Sequence, residues 1–177
     1  MDPLLAVRRL PQLAQRAMVA AILTAIDRAR FTPRSLVNDA LMRFERAVQA
    51  EIADGVRPAL LFAERDRIVR ELRRFIDARL AARIAALRRR DIVALGAEAA
   101  PFDAIVRNRA GRCYGLVLRR LPADGGRLEV IRRARLAQYA ARTPLNGVLL
   151  YDFGSGVARL VLDDSGADRV HGDLRAS

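Results

Sequence analysis

Two short apolar segments near the middle of the chain hold the residues best placed to do chemistry. Asp103 stands near the start of residues 101–106, and Arg119 ends residues 113–119. A carboxylate is an oxygen ligand of the kind that Mg²⁺ and Mn²⁺ prefer. A guanidinium offers phosphate a planar fork of N–H donors. The two residues therefore indicate chemistry on a phosphate group, either through a metal ion or by direct binding.

The composition excludes several kinds of catalytic site. All 32 basic residues of the 177-residue chain are arginine, which excludes a Schiff-base lysine, a Walker lysine and a lysine general base. Cys113 is the single cysteine and His171 the single histidine. An intramolecular disulfide and a cysteine metal cluster are therefore excluded. The isolated position of His171 in the tail disfavours a histidine-based triad or zinc site. The cysteine usage fits a reducing compartment, and we expect the protein in the cytoplasm.

The net charge of +12 is concentrated in the middle of the chain. Residues 57–90 hold 11 arginines against 4 acids, and residues 107–142 hold 10 against 2. Such clustering favours a polyanionic partner, with nucleic acid ahead of an anionic membrane surface. The apolar run 17–26 has only 10 residues, whereas a membrane-spanning helix needs roughly 20. We expect no membrane partner and no secretory leader.

The first half of the chain has helical periodicity. Apolar residues recur at three-to-four spacing from Leu10 to Ile26, and a second stripe runs through Val37, Leu41, Phe44, Val48 and Ile52. Thr32 followed by Pro33 is a typical helix start. These stripes predict an antiparallel helix pair over residues 1–56.

A third helical pattern begins at Pro58 and extends over residues 58–90. One side is apolar and the other is rich in arginine. That charged face is either a phosphate-binding surface or a solvated face with local ion pairs, such as Glu64 with Arg67 and Glu71 with Arg74.

The period changes to that of β-strands after Gly96. Residues 102–106 and 114–118 predict a hairpin around a turn at 108–111. A helix is predicted over residues 127–142. Two further strands, 147–151 and 157–162, flank Phe153-Gly154-Ser155-Gly156, where we interpret Asp152-Phe153-Gly154 as a strand end and turn. The predicted organisation is thus a helical pair (1–56), an α/β core (57–162) and a loose acidic tail (163–177).

The order helix, strand, strand, helix, strand, with Asp103 on the hairpin, resembles the PD-(D/E)XK nuclease-like superfamily over about residues 58–162. The resemblance implies an α+β (α/β) fold, in which N-terminal helices precede a restriction-endonuclease-like αβββαβ-type core with a small mixed sheet. It implies that Asp103 is the first metal-binding acid and that Glu64 or Glu71 matches a helix carboxylate. Val117 and Arg119 fall where the family has its second acid and its lysine, so the second metal ligand is missing.

Some members of the superfamily carry the missing acid on the following helix, where this chain has Glu129. Asp103 and Glu129 would then be the catalytic residues of an Mg- or Mn-dependent nuclease, in which the ion activates water and stabilises charge on phosphate. The structural alternatives are that Glu129 complements a helix N-terminus and that Asp103 satisfies turn amides.

Our preferred interpretation is a noncatalytic, nuclease-like protein that binds the phosphate backbone of DNA or RNA and requires no cofactor. The predicted binding residues are Arg73, Arg74, Arg119, Arg120, Arg132, Arg133 and Arg135. The alternative is a helical interaction module, in which residues 1–56 form a homo-oligomer or join a larger nucleic-acid machine.

Overall fold

The computed structural model describes residues 3–28, 32–52, 56–77, 88–89, 102–107, 113–121 and 146–162. The helices are α1 (Pro3–Arg28), α2 (Pro33–Glu51) and α3 (Pro58–Asp77). The strands are β1 (Arg88–Arg89), β2 (Ala104–Arg107), β3 (Cys113–Arg119), β4 (Gly147–Asp152) and β5 (Val157–Leu162). The fold is α+β with N-terminal helices, as predicted. Two compact units divide the chain, Met1–Ala81 and Ala82–Ser177.

Helices α1 and α2 pack side by side in opposite directions. Arg16 of α1 lies 3.7 Å from Glu51 near the end of α2, whereas Thr24 accepts a 3.1 Å hydrogen bond from Arg43 in the middle of α2. Contacts thus move backward along α2 as they move forward along α1. The start of α2 is as predicted, because the Thr32 hydroxyl accepts the amide N–H of Ser35 at 3.2 Å, with Pro33 at the first turn.

Helix α3 belongs to the same compact unit as α1 and α2. Arg67 donates from α3 to the carbonyl oxygen of Pro11 at 3.2 Å, and Arg65 pairs with Glu45 of α2 at 3.0 Å. Its apolar stripe is fully buried at Ile68, Leu72 and Phe75. The unit boundary therefore lies after residue 81 and not near residue 56, because the apolar face of α3 needs the first two helices to cover it. Within the described residues, no helix combines the length and apolar character needed to cross a membrane.

The second unit contains a five-stranded sheet in the order β1-β2-β3-β4-β5. Neighbouring strands are antiparallel, except for the parallel pair β3 and β4. The predicted hairpin is confirmed by the pairing of Ala104 with Leu116 and of Arg107 with Cys113. The predicted strands 147–151 and 157–162 are confirmed as the antiparallel pair β4 and β5.

Strand β1 corrects the prediction of one helix over residues 58–90. Arg88 and Arg89 pair with Arg107 and Val106 of β2. The apolar spacing around these residues is helical. Their backbone N–H and carbonyl groups are nevertheless satisfied by pairing with β2, on the side of β2 away from β3. Strand pairing depends on a distant segment, so local periodicity does not report it.

Strand β3 is the centre of the sheet and is buried on both faces. Leu116, Val117 and Leu118 are exposed by 2% or less, as expected for a strand with neighbours and cover on each side. Asn146 secures the start of the parallel pair, because its side-chain oxygen accepts the Cys113 N–H at 3.0 Å and its own N–H donates to the Cys113 carbonyl at 2.7 Å.

Candidate functional site

The candidate site lies at the C-terminal end of β3, which extends beyond its paired part with β2. The β2 ladder stops at Ala104 opposite Leu116, and the β4 ladder stops at Asp152 opposite Arg119. The last backbone N–H groups of β3 and of the residues after it therefore need other acceptors. Aspartate side chains from both flanking strands supply them.

Asp103, just before β2, closes the hairpin side. Its Oδ2 accepts the Leu118 N–H at 2.7 Å, and its own N–H donates to the Leu116 carbonyl at 2.7 Å. Its Oδ1 lies 3.5 Å from Nη2 of Arg119. Burial raises the pKa of Asp103 above its ordinary value, and the Leu118 hydrogen bond and the Arg119 charge oppose this rise without cancelling it. Asp103 therefore accepts a backbone N–H, as in the interpretation that it satisfies turn amides, but the N–H belongs to Leu118 on the opposite strand of the hairpin and not to a turn.

Asp152, at the end of β4, closes the other side. Its Oδ1 accepts the N–H of Leu121 at 3.0 Å and that of Gly154 at 2.9 Å, and its Oδ2 accepts the Ser155 hydroxyl at 2.6 Å. Partial burial acts to raise the pKa of Asp152, but the hydrogen bonds from Ser155, Leu121 and Gly154 outweigh burial and lower it. The carboxylate therefore stays ionised and ties the β4–β5 turn to the chain after β3.

Two arginines lie between these aspartates. Arg119 ends β3 with 41% of its side chain exposed, and its carbonyl oxygen accepts the Phe153 N–H at 2.9 Å. Arg120 follows and is exposed. Its Cγ would lie 3.5 Å from a Cβ at Gly154, so the aliphatic stem of Arg120 runs along the turn. The backbone is held on each side of the two arginines, Arg120 is exposed, and the partly exposed guanidinium of Arg119 lies beside Asp103.

The site rests on a closely packed apolar layer. Tyr151 and Phe153 are fully buried, and their rings meet edge to face at a centroid distance of 5.3 Å. On the hairpin side, the Phe102 ring lies directly over the backbone of Gly115. This packing fixes the ends of β3 and β4, and hence the positions of both aspartates.

The other predicted site residues are distributed differently. Arg73 and Arg74 are exposed on α3, in the helical unit and not in the sheet unit. Val117, where the resemblance implies the second acid, is apolar and 2% exposed. The remaining predicted residues lie outside the described residues: Glu129, Arg132, Arg133 and Arg135.

The apolar stripes of α1 and α2 are buried within their own unit. In the second stripe Phe44, Val48 and the C-cap residue Ile52 are buried as predicted. In the first turns of α2 the buried residues are Leu36 and Ala40, whereas the predicted Val37 and Leu41 are only half-buried. A partner that binds this unit would therefore contact other surfaces than these stripes.

Asp152 is the residue of the candidate site that sequence reasoning missed. We interpreted Asp152-Phe153-Gly154 as a turn and did not assign a role to its acid. The signal was present, because an aspartate followed by glycine two positions later and serine three positions later is typical of a side-chain-capped turn.

Comparison of the chain with known protein families, with curated proteins and with solved structures finds no match in any of the three.

Proposed function

We propose that this protein is a noncatalytic, nuclease-like binder of the DNA or RNA backbone, which works in the cytoplasm and holds phosphates with arginine side chains. The observation that carries the proposal is the Arg119–Arg120 pair, whose backbone is fixed between two aspartates, with Arg120 exposed and Arg119 partly exposed. A rigid backbone lowers the entropic cost of ordering the guanidinium groups on a phosphate. The net charge of +12 supplies the long-range attraction.

The sheet supports the nuclease-like part of the proposal. An αβββαβ-type core needs consecutive antiparallel strands followed by a crossover to a parallel strand, and β1, β2, β3 and β4 have this arrangement. The hairpin also brings Asp103 and Arg119 together, as the resemblance implies.

The test is fluorescence anisotropy of labelled duplex and single-stranded DNA and RNA, in chelator, over a series of salt concentrations. Backbone binding predicts that log K falls linearly with log salt, with a slope of about −0.9 for each duplex DNA phosphate neutralised. The affinity should differ little between sequences, because phosphate contacts carry no base information.

The variant Arg119→Gln with Arg120→Gln tests the site itself. We expect weaker binding and a salt slope reduced by about 1 for each arginine that contacts a phosphate. The matched control is Arg8→Gln with Arg9→Gln, which removes two charges from an exposed arginine pair on α1. Equal losses in both variants would show that net charge alone matters, and no binding by the wild type at low salt would overturn the proposal.

A further variant addresses the arginines outside the described residues. Replacement of Arg132, Arg133 and Arg135 by glutamine should also weaken binding uniformly across sequences if they extend the same surface. Unchanged affinity would restrict the binding surface to the described residues.

A further inference from the structure

The donor atoms of the two aspartates do not fit the divalent metal that the nuclease resemblance implies. Asp103 Oδ2 accepts the Leu118 N–H, and Oδ1 lies toward Arg119. Asp152 Oδ1 accepts the N–H groups of Leu121 and Gly154, and Oδ2 accepts the Ser155 hydroxyl. Mg²⁺ takes oxygen ligands at about 2.0–2.1 Å in near-octahedral geometry. Asp152 would have to release hydrogen bonds to ligate it, because each of its two oxygens already accepts two N–H or O–H donors. At Asp103 the ion would have to displace Arg119 from Oδ1.

The charges around Asp103 also disfavour a divalent cation. The position of the expected second acid is Val117, which is buried and apolar. Among the described residues, no group of three or more His, Cys, Asp and Glu side chains could hold a metal. The Nη2 of Arg119 lies 3.5 Å from Asp103, where its positive charge would repel an incoming cation.

We infer that the Arg119 guanidinium takes the place of the metal at this site, so that a phosphodiester binds Arg119 directly and without a divalent cation. Asp103 is the positioning residue: it holds Arg119 at the end of β3 and competes with phosphate for the same guanidinium. This inference rests on the proposed function, and it names the group that the phosphate contacts there.

The inference and a metal site predict opposite effects of Asp103→Asn. The asparagine side-chain oxygen still accepts the Leu118 N–H, so the hairpin keeps its closing hydrogen bond. Removal of the negative charge frees Arg119 for phosphate, and duplex DNA should bind about two- to fivefold more tightly in EDTA, the range expected for a partly exposed ion pair. A metal site predicts instead that Asp103→Asn abolishes any Mn²⁺-dependent gain in binding.

The experiment measures anisotropy of a labelled DNA duplex in EDTA and then in Mn²⁺, for the full chain and for Asp103→Asn. Electron paramagnetic resonance of Mn²⁺ with protein alone measures metal binding separately. Asp39→Asn is the matched control, because Asp39 also pairs with an arginine, Arg43 at 3.0 Å, but in the helical unit. The combination of Asp103→Asn with Arg119→Gln shows whether the effect acts through Arg119.

Tighter binding by Asp103→Asn in EDTA, absent from Asp39→Asn and abolished by Arg119→Gln, supports the inference. Saturable Mn²⁺ binding that Asp103→Asn removes overturns it, whatever the duplex does. The combination of Asp103→Ala with Glu129→Ala extends the Mn²⁺ measurement to the acid outside the described residues, and metal binding lost in that double variant likewise overturns it. Absence of duplex binding by the wild type overturns the proposed function, while the Mn²⁺ measurement still decides whether these acids hold a metal.

Discussion

A methyl group added at Gly115 has no room beneath the Phe102 ring. An alanine Cβ at Gly115 would lie 2.5 Å from both Cδ1 and Cε1 of that ring and 3.0 Å from Cγ. Carbon atoms pack at about 3.5–4.0 Å, so the ring would have to move by about 1 Å. Phe102 is only 8% exposed. Gly115→Ala therefore overpacks the sheet unit at the base of the candidate site.

The expected loss of stability follows from the size of this overlap. Overpacking of a well-filled core by one methyl group costs about 1–3 kcal/mol, because side chains leave their rotamers and the backbone shifts. A loss of 2 kcal/mol in a unit of roughly 100 residues lowers Tm by roughly 8–16 °C. Gly115 lies between β2 and β4 in the ladder, opposite Ile105 and Val148, so a backbone shift there would be transmitted to both neighbours.

The assay is urea denaturation of a double-mutant cycle with Phe102→Ala. Removal of the ring opens the space that the new methyl group needs, so Gly115→Ala should cost almost nothing in the Phe102→Ala background. The coupling free energy should be about 1–3 kcal/mol. A wild-type stability for Gly115→Ala, or the same cost with and without the Phe102 ring, would refute the steric argument.

Three further predictions concern the charged groups. Burial raises the folded-state pKa of Asp103, so the stability that its protonation contributes is complete below the unfolded-state pKa and is lost as pH rises through the folded-state pKa. In thermal melts at pH 7, Asp103→Asn should therefore be at least as stable as wild type, whereas Asp103→Ala should lose about 1–3 kcal/mol because the Leu118 N–H loses its acceptor. Equal stabilities of the two variants would contradict this. The pKa of Asp152 is lowered from its ordinary value of 3.8, so the stability that its ionised form contributes is present above that pH and is lost as pH falls through the folded-state pKa. Asp152→Asn should therefore be less stable than wild type at neutral pH, and in thermal melts the difference in stability between the two proteins should shrink below about pH 4. Arg67→Met should destabilise the helical unit by about 1–3 kcal/mol, because it removes the half-buried cation that pairs with Glu64 and Glu71 and donates to the Pro11 carbonyl. Circular dichroism during urea unfolding measures the loss, and a change below about 0.5 kcal/mol would show that these contacts are dispensable.

The sequence by itself determined the elements whose cause is local. The Thr32 cap and the buried stripe of α3 follow from residue type and helical spacing, and the structure confirms them. The hairpin and the β4–β5 pair were equally predictable, because alternating apolar runs on each side of a turn can pair without any distant partner.

The tertiary structure alone decided which of these elements belong together. Strand β1 was predicted as helix because its pairing with β2 is a contact between distant residues. Helix α3 joined α1 and α2 because its buried face needs their cover, a requirement that spacing along the chain does not report.

The candidate site shows the same division. The sequence predicted Asp103 and Arg119 as site residues through its resemblance to the nuclease-like superfamily. It did not show that Asp152 closes the other side, because that role depends on the parallel pairing of β3 with β4, which brings Asp152 within 3.0 Å of the Leu121 N–H. The residue types fixed which hydrogen bonds each side chain can make. The order and pairing of the strands decided which backbone N–H groups at the end of β3 needed a side-chain acceptor.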